Sequence, residues 1–290
     1  MEVRVALAQL APRLGELGAN LELAAAWTRR AADEGANLVV FPELALTGYL
    51  LQDLVPEVAV RADDPRLAML SRETPELCVA IGFVEESPEH VFYNSAALLR
   101  AGRVIGLHRK VYLPTYGLFD ESRFASAGDR IGTVDAGPPL GRIGLSVCED
   151  FWHPSLPWLQ ALDGAQLLVN LASGPARAPG SPAGLSAIDG WRKMQDTYAL
   201  LETCALAFCN RVGNEEGLAF WGGSRLLAAD GSVIAEAPLY DEALVVGTLE
   251  TDDLRMTRYN LPLLADERVE LIARELARIV AARSGIGAES

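Results

Sequence analysis

Three short segments carry side chains that together can break a carbon–nitrogen bond. Phe41-Pro42-Glu43-Leu44 closes an apolar run with a carboxylate. His108-Arg109-Lys110-Val111-Tyr112-Leu113-Pro114 supplies an ammonium, and Val147-Cys148-Glu149-Asp150 a thiol. A thiol becomes a nucleophile when a carboxylate takes its proton, and an ammonium can hold the oxyanion that forms. Each residue alone has an ordinary explanation. Cys148 could be a buried strand cysteine, Glu43 an Arg-paired or solvated acid, and Lys110 part of a wet basic cluster. Yet a carboxylate directly after Leu-Val-Val-Phe-Pro is costly to bury without a partner or a task. The aromatic and proline residues that follow Lys110 describe a shaped loop. Joint occurrence in this order carries the inference.

Lysine usage sharpens it. Of 25 basic residues, 23 are arginine and only Lys110 and Lys193 are lysine. A chain this biased keeps lysine where a guanidinium cannot replace a compact ammonium.

Strands and helices alternate around these segments. Val3 to Leu10 reads as a strand, Asn20 to Glu34 as an amphipathic helix closed by Gly35, and Asn37 to Phe41 as a buried strand. Pro65 to Thr74 predicts a helix and Leu77 to Glu85 a strand. Tyr93 to Leu99 and Val104 to Leu107 flank a hairpin turn at Arg100-Ala101-Gly102-Arg103. Gly141 to Val147 is a strand ending on Cys148, where open α/β architectures place reactive groups. A helix over Leu156 to Leu162, a strand over Gln166 to Leu171, a long helix over Gly184 to Thr203 and a strand over Ala205 to Arg211 follow. Gly217 to Ala229, Ser232 to Ala237 and Ala243 to Glu250 read as a closing meander. A terminal amphipathic helix spans 266–282, and the last residues read as a frayed tail. Strands outnumber what one parallel sheet needs and several are hairpin-linked. The expected fold is therefore α/β, with two mixed sheets face to face and helices outside. No Pro/Gly/Ser linker divides 1–290, which reads as a single domain; the stretch Ser173 to Gly184 reads as a functional loop.

Composition bounds the function classes. Half the residues are hydrophobic and the net charge is −14, which supplies a large core and excludes nucleic acid as a partner. No apolar run approaches the roughly 18 residues of a membrane span, and the N-terminus lacks a signal-peptide pattern. Four cysteines, at 78, 148, 204 and 209, show no metal-site spacing, nor do the histidines at 90, 108 and 153. A cytoplasmic protein without metal or organic cofactor is expected.

The chain resembles the nitrilase, or carbon–nitrogen hydrolase, superfamily from the Val5-Ala6-Leu7-Ala8-Gln9 strand to Arg258-Tyr259-Asn260-Leu261-Pro262. Phe41 to Tyr49, His108 to Gly117 and Cys148-Glu149-Asp150-Phe151-Trp152 are most similar to the glutaminase domain of glutamine-dependent NAD synthetases. The resemblance implies a four-layer α-β-β-α sandwich and a Glu43–Lys110–Cys148 triad. It also implies an oxyanion contact from the Glu149 backbone N–H and a second glutamate at Glu121 that positions substrate or water. Tyr49, Tyr116, Phe119 and Ser173 match the glutamine pocket. After Ser173 the chain departs from the pattern, and Arg177 in that loop is a candidate for a substrate carboxylate.

The implied activity is an amidase cleaving a small-molecule amide with release of ammonia, most simply a glutaminase serving a separate NAD synthetase. No Ser-Gly-Gly-x-Asp-Ser pyrophosphate loop occurs, so NAD synthesis by this chain alone is not expected. A nitrilase, N-carbamoyl hydrolase or ω-amidase would use the same triad, although Glu-Asp after the cysteine weighs against a nitrilase. A non-catalytic partner-binding subunit would have no reason to hold all three residues. The superfamily also implies a homodimer or higher homo-oligomer.

Overall fold

The computed structural model describes residues 1–117, 119–176 and 182–284. In chain order the elements are β1 (Glu2–Gln9), α1 (Leu17–Asp33), β2 (Leu38–Val40), α2 (Val55–Val58), α3 (Pro65–Arg72), β3 (Cys78–Glu86), β4 (Phe92–Arg100) and β5 (Arg103–Arg109). Then come β6 (Thr133–Asp135), β7 (Arg142–Val147), α4 (Ser155–Leu162), β8 (Leu167–Ala172), β9 (Pro175–Ala176), α5 (Pro182–Leu201) and β10 (Ala205–Asn210). The last are β11 (Val212–Glu215), β12 (Leu218–Trp221), β13 (Arg225–Leu227), β14 (Val233–Glu236), β15 (Ala243–Glu250), α6 (Thr251–Asn260) and α7 (Val269–Arg283).

Two six-stranded sheets face each other, in the orders β15-β1-β2-β3-β4-β5 and β14-β13-β10-β8-β7-β6. Both are mixed: β1-β2-β3 and β7-β8-β10 are parallel, and the outer strands pair antiparallel. Alternation along β1 explains the layers. Val3, Val5 and Leu7 face the core between the sheets, against Val147, Val169 and Leu171. Ala6 and Ala8 face outward onto Trp27 and Ala31 of α1. The other sheet buries its outer face under Ile188, Trp191 and Ala199 of α5. The fold is the expected α-β-β-α sandwich.

Local chemistry sets the boundaries. Gly35 sits at φ +70° just beyond α1, and Asp64 caps α3 by accepting from the Arg66 N–H at 2.8 Å, with Pro65 in the first turn. The closing meander is divided instead of continuous. β12 joins β11 and β9 in a small third sheet, β13 and β14 extend the second sheet, and β15 crosses to pair with β1. Helix α6 occupies a segment with no predicted element. Helix α7 begins at Val269, later than expected, and carries no buried residue. The expected tail falls mostly at 285–290, outside the described residues.

Candidate active site

Glu43, Lys110 and Cys148 leave three strand ends that the sandwich brings together. Glu43 follows β2, Lys110 follows β5, and Cys148 follows β7. The Lys110 ammonium lies 2.9 Å from Glu43 Oε1, and 2.8 and 2.7 Å from the two Glu121 oxygens, with the lysine side chain wholly buried. Asn94 Nδ2 donates to Glu43 Oε1 at 2.7 Å. Among the described residues Glu43 Oε2 is buried without a hydrogen-bond partner, so one carboxylate oxygen is held and the other is open. Gly82 of β3 permits this approach. A methyl group there would sit 2.5 Å from the Leu44 N and 2.8 Å from the Glu43 Cα.

Burial works against the Lys110 charge, but the carboxylates of Glu121 and Glu43 outweigh it and hold the ammonium well above the ordinary lysine range. Glu121 is raised by burial, opposed by Lys110. Tyr49 donates its hydroxyl to Glu121 Oε1 at 2.5 Å and, being buried beside that carboxylate, is pushed well above the usual tyrosine range.

Cys148 begins a tight 3₁₀ turn, Cys148–Trp152, at φ +44°. A left-handed conformation in a non-glycine residue is strained and is tolerated where the surroundings enforce it. The enforcing group is the fully buried Asp150. Its Oδ2 accepts from the Val147 N–H at 2.9 Å, and its Oδ1 accepts from the Val111 and Tyr112 N–H groups at 3.0 Å each. His108 Nε2 lies 2.8 Å from Asp150 Oδ2. One carboxylate thus ties the cysteine turn to the loop that carries Lys110. Burial and the Glu43 carboxylate push the Cys148 thiol well above the usual range, against the pull of Lys110 and a main-chain hydrogen bond from Ser173.

The remaining predicted residues divide. Tyr49, Phe119 and Glu121 line a cavity of about 330 Å³ that Asn94, Tyr93 and Arg123 also wall; neither Cys148 nor Lys110 lines it. Phe119 packs edge-on against Tyr49 and Tyr116. Tyr116 donates to Glu149 at 2.9 and 3.1 Å, and burial raises the Glu149 carboxyl. Ser173 is buried and donates its hydroxyl to the Glu43 carbonyl at 3.0 Å. Arg177 lies outside the described residues.

The description "Carbon-nitrogen hydrolase" belongs to the family model that matches residues 4–259. The chain belongs to that family. It is accordingly an enzyme acting on carbon–nitrogen bonds other than peptide bonds. A glutamine-dependent NAD(+) synthetase of Thermotoga maritima is 34% identical over 260 residues, spanning 87% of this chain and 42% of the relative. The chain therefore spans less than half the length of that relative. An N-carbamoylputrescine amidase of Arabidopsis thaliana is 27% identical over 273 residues, covering 88% of this chain and 89% of the amidase. The crystal structure of a carbon-nitrogen hydrolase from Helicobacter pylori G27 has the same fold, with TM-score 0.84 and 23% identity over 95% of this chain and 99% of that one.

Several residues of this carbon–nitrogen hydrolase site escaped the sequence reading. Asn94 is the second residue of Tyr93 to Leu99, and between Tyr93 and Ser95 nothing in the sequence marks it. Asp150 looked like part of an acidic pair, and Gly82 like an ordinary strand glycine. Among the described residues no group of three or more His, Cys, Asp or Glu is arranged to hold a metal ion. No helix among them is long and apolar enough to cross a membrane.

Proposed function

We propose that the chain is an amidase that cleaves the side-chain amide of glutamine, or of a close analogue, through a Cys148 thioester with release of ammonia. Glu43 takes the thiol proton as sulfur attacks the amide carbon. The oxyanion of the tetrahedral intermediate is held by Lys110 and the Glu149 backbone N–H. Collapse expels ammonia with the proton returned from Glu43, and water then cleaves the thioester by the same exchange. Glu121 keeps Lys110 charged and orders substrate or water. Tyr49, Tyr116, Phe119 and Ser173 shape the acyl pocket, and Arg177 pairs with a substrate carboxylate. The observation that carries this reading is the buried Glu43 carboxylate, one oxygen fixed by Asn94 and Lys110 and the other unpartnered beside the thiol site.

Residues 1–290 act as one hydrolase domain, in a cytoplasmic homodimer or higher homo-oligomer, and pass ammonia to a separate synthetase. Similarity to the glutamine-dependent NAD(+) synthetases supports ammonia transfer to a synthetase. A second reading, an N-carbamoyl hydrolase, draws support from the Arabidopsis amidase, which the chain matches over most of its length. Ammonia release measured across glutamine, asparagine, aliphatic amides, carbamoyl amino acids and nitriles separates the two. Turnover of glutamine, abolished by Cys148→Ala, is expected. Strong turnover of a carbamoyl compound beside inactivity on glutamine overturns the first reading.

A further inference from the structure

A buried ion pair outside the triad reaches the site from the far end of the chain. Arg211, in the link between β10 and β11, is almost fully buried, and its Nη1 donates to Glu215 Oε2 at 2.6 Å. Its guanidinium lies 4.1 Å from the centroid of the Phe220 ring. The other Glu215 oxygen turns away from the hairpin. It accepts from the Tyr49 N–H at 2.8 Å and from the Leu50 N–H at 2.5 Å, across 166 and 165 residues of sequence. Gly48 makes the approach possible: at φ +78° it has no side chain, and a Cβ there would lie 2.9 Å from Glu215 Oε2 and 2.8 Å from the Leu14 Cα. Phe220 meets Tyr49 edge-on at 6.1 Å.

We propose that Glu215, clamped by Arg211, is a positioning residue that sets the Lys110 ammonium by fixing the Tyr49–Leu50 turn. Tyr49 is held at its backbone by Glu215 and at its ring by Phe220, which leaves its hydroxyl one direction. That hydroxyl donates to Glu121 Oε1, and both Glu121 oxygens hold Lys110 Nζ. Four contacts thus run from Arg211 to the ammonium. A buried ion pair is poor evidence of stabilisation, because an apolar pair of similar volume often serves as well or better. What an apolar pair cannot supply is an acceptor for two partly buried N–H groups of another sheet's loop. Burial lowers the Arg211 pKa and Glu215 opposes it, while the Arg211 Nη1 contact holds one Glu215 oxygen and leaves the other for the turn.

The inference rests on the amidase reading for its meaning, but its test does not need an amide. Alkylation of Cys148 by iodoacetamide, followed by mass spectrometry, reads how well Lys110 favours the thiolate. The comparison is between Arg211→Met/Glu215→Gln and Arg211→Met/Glu215→Ala. Neither retains the buried cation, and only the first retains an acceptor oxygen for Tyr49 and Leu50. The glutamine form is expected to react within about three-fold of the wild type at neutral pH, and the alanine form about ten-fold more slowly, both folded by near-ultraviolet circular dichroism. In a Tyr49→Phe background the difference between them should shrink below about two-fold, because the link to Glu121 is already cut. Equal rates for the two forms, or a difference that survives undiminished with Tyr49→Phe, overturn the proposal. Tyr49→Phe alone removes one hydroxyl and no backbone contact, so an unchanged alkylation rate in it overturns the relay even if the pair variants do not fold. If the wild type turns over no amide, the amidase reading fails while the alkylation comparison stands.

Discussion

Lys110→Arg keeps the positive charge and changes only its shape, which makes it the sharpest perturbation of the site. The Lys110 side chain is wholly buried, and its nitrogen touches three carboxylate oxygens within 2.9 Å. A guanidinium is planar and bulkier, so it overfills a cavity shaped for an ammonium at about 1–3 kcal/mol. It also spreads its charge over a fork, and loss of one well-placed oxyanion donor costs about 3–4 kcal/mol, or roughly 100- to 1,000-fold in kcat. The chain offers its own control. Lys193, the other lysine, is exposed and pairs with Asp189 at 2.6 Å. Lys193→Arg should stay within about 0.5 kcal/mol in stability and leave kcat unchanged. The assay is ammonia release at saturating amide beside a thermal melt for each variant. A folded Lys110→Arg protein within about five-fold of wild-type kcat refutes the reasoning, because charge without ammonium geometry would then suffice.

Gly82→Ala pushes a methyl group to within 2.5 Å of the Leu44 N and displaces Glu43; a loss of about ten-fold or more in kcat is expected, with a stability cost of about 1–3 kcal/mol in a denaturant titration. Asp150→Asn replaces one acceptor oxygen with a donor facing buried N–H groups, so unfolding should show about 3 kcal/mol of destabilisation and ammonia release should fall with it. Alkylation of Cys148 in the wild type should rise with pH through an inflection above the free-cysteine value of about 8.5, and a plateau already reached at pH 6 would contradict a resting thiol. Burial, with Glu267 nearby, raises the Glu202 carboxyl to about 7. The folded state thus holds a proton that the unfolded chain releases near 4.5, and the stability this contributes is lost as pH rises through 7. Allowing for residual solvent contact, the loss between pH 5 and 8 is about 1–2 kcal/mol, and Glu202→Gln should flatten the pH dependence seen in denaturant melts.

The layers were legible because burial writes itself into periodicity. β1 shows it: every second residue faces the other sheet and the rest face α1, so an unbroken apolar run is a strand buried on both faces. The candidates Glu43 and Cys148 stood out because each follows such a run, and Lys110 because lysine is scarce. What hid the rest was distance. β12, β13 and β15 look alike in sequence, but which sheet each joins depends on pairing with distant strands, as in the register of Glu2 with Glu250. Asn94, Asp150 and Glu215 were hidden for the same reason. Each is an ordinary polar residue whose role exists only through partners on other elements, and none of those partners lies at a motif spacing.

Under the proposed mechanism, the charges in the cluster bear on how the reaction would begin. Glu43 and Glu121 place two carboxyl groups against the Lys110 ammonium, near the Cys148 thiol. Ionising that thiol without discharging a carboxylate would add a negative charge. At about 4 Å and an effective dielectric near 20, each such pair of like charges costs about 4 kcal/mol. Transfer of the proton to Glu43 removes one carboxylate charge as the thiolate gains it. Attack then moves that charge onto the oxyanion, where Lys110 can reach it. In that sequence the net charge of the cluster is unchanged from thiol to tetrahedral intermediate, and no step has to bring a charge in from water. Glu121 is the group that the proposal makes responsible for this balance. With Glu43 alone opposite Lys110 the cluster would be neutral, and a standing thiolate would be affordable. On the proposed mechanism, a second carboxylate beside Lys110 favours proton transfer that accompanies attack over transfer that precedes it.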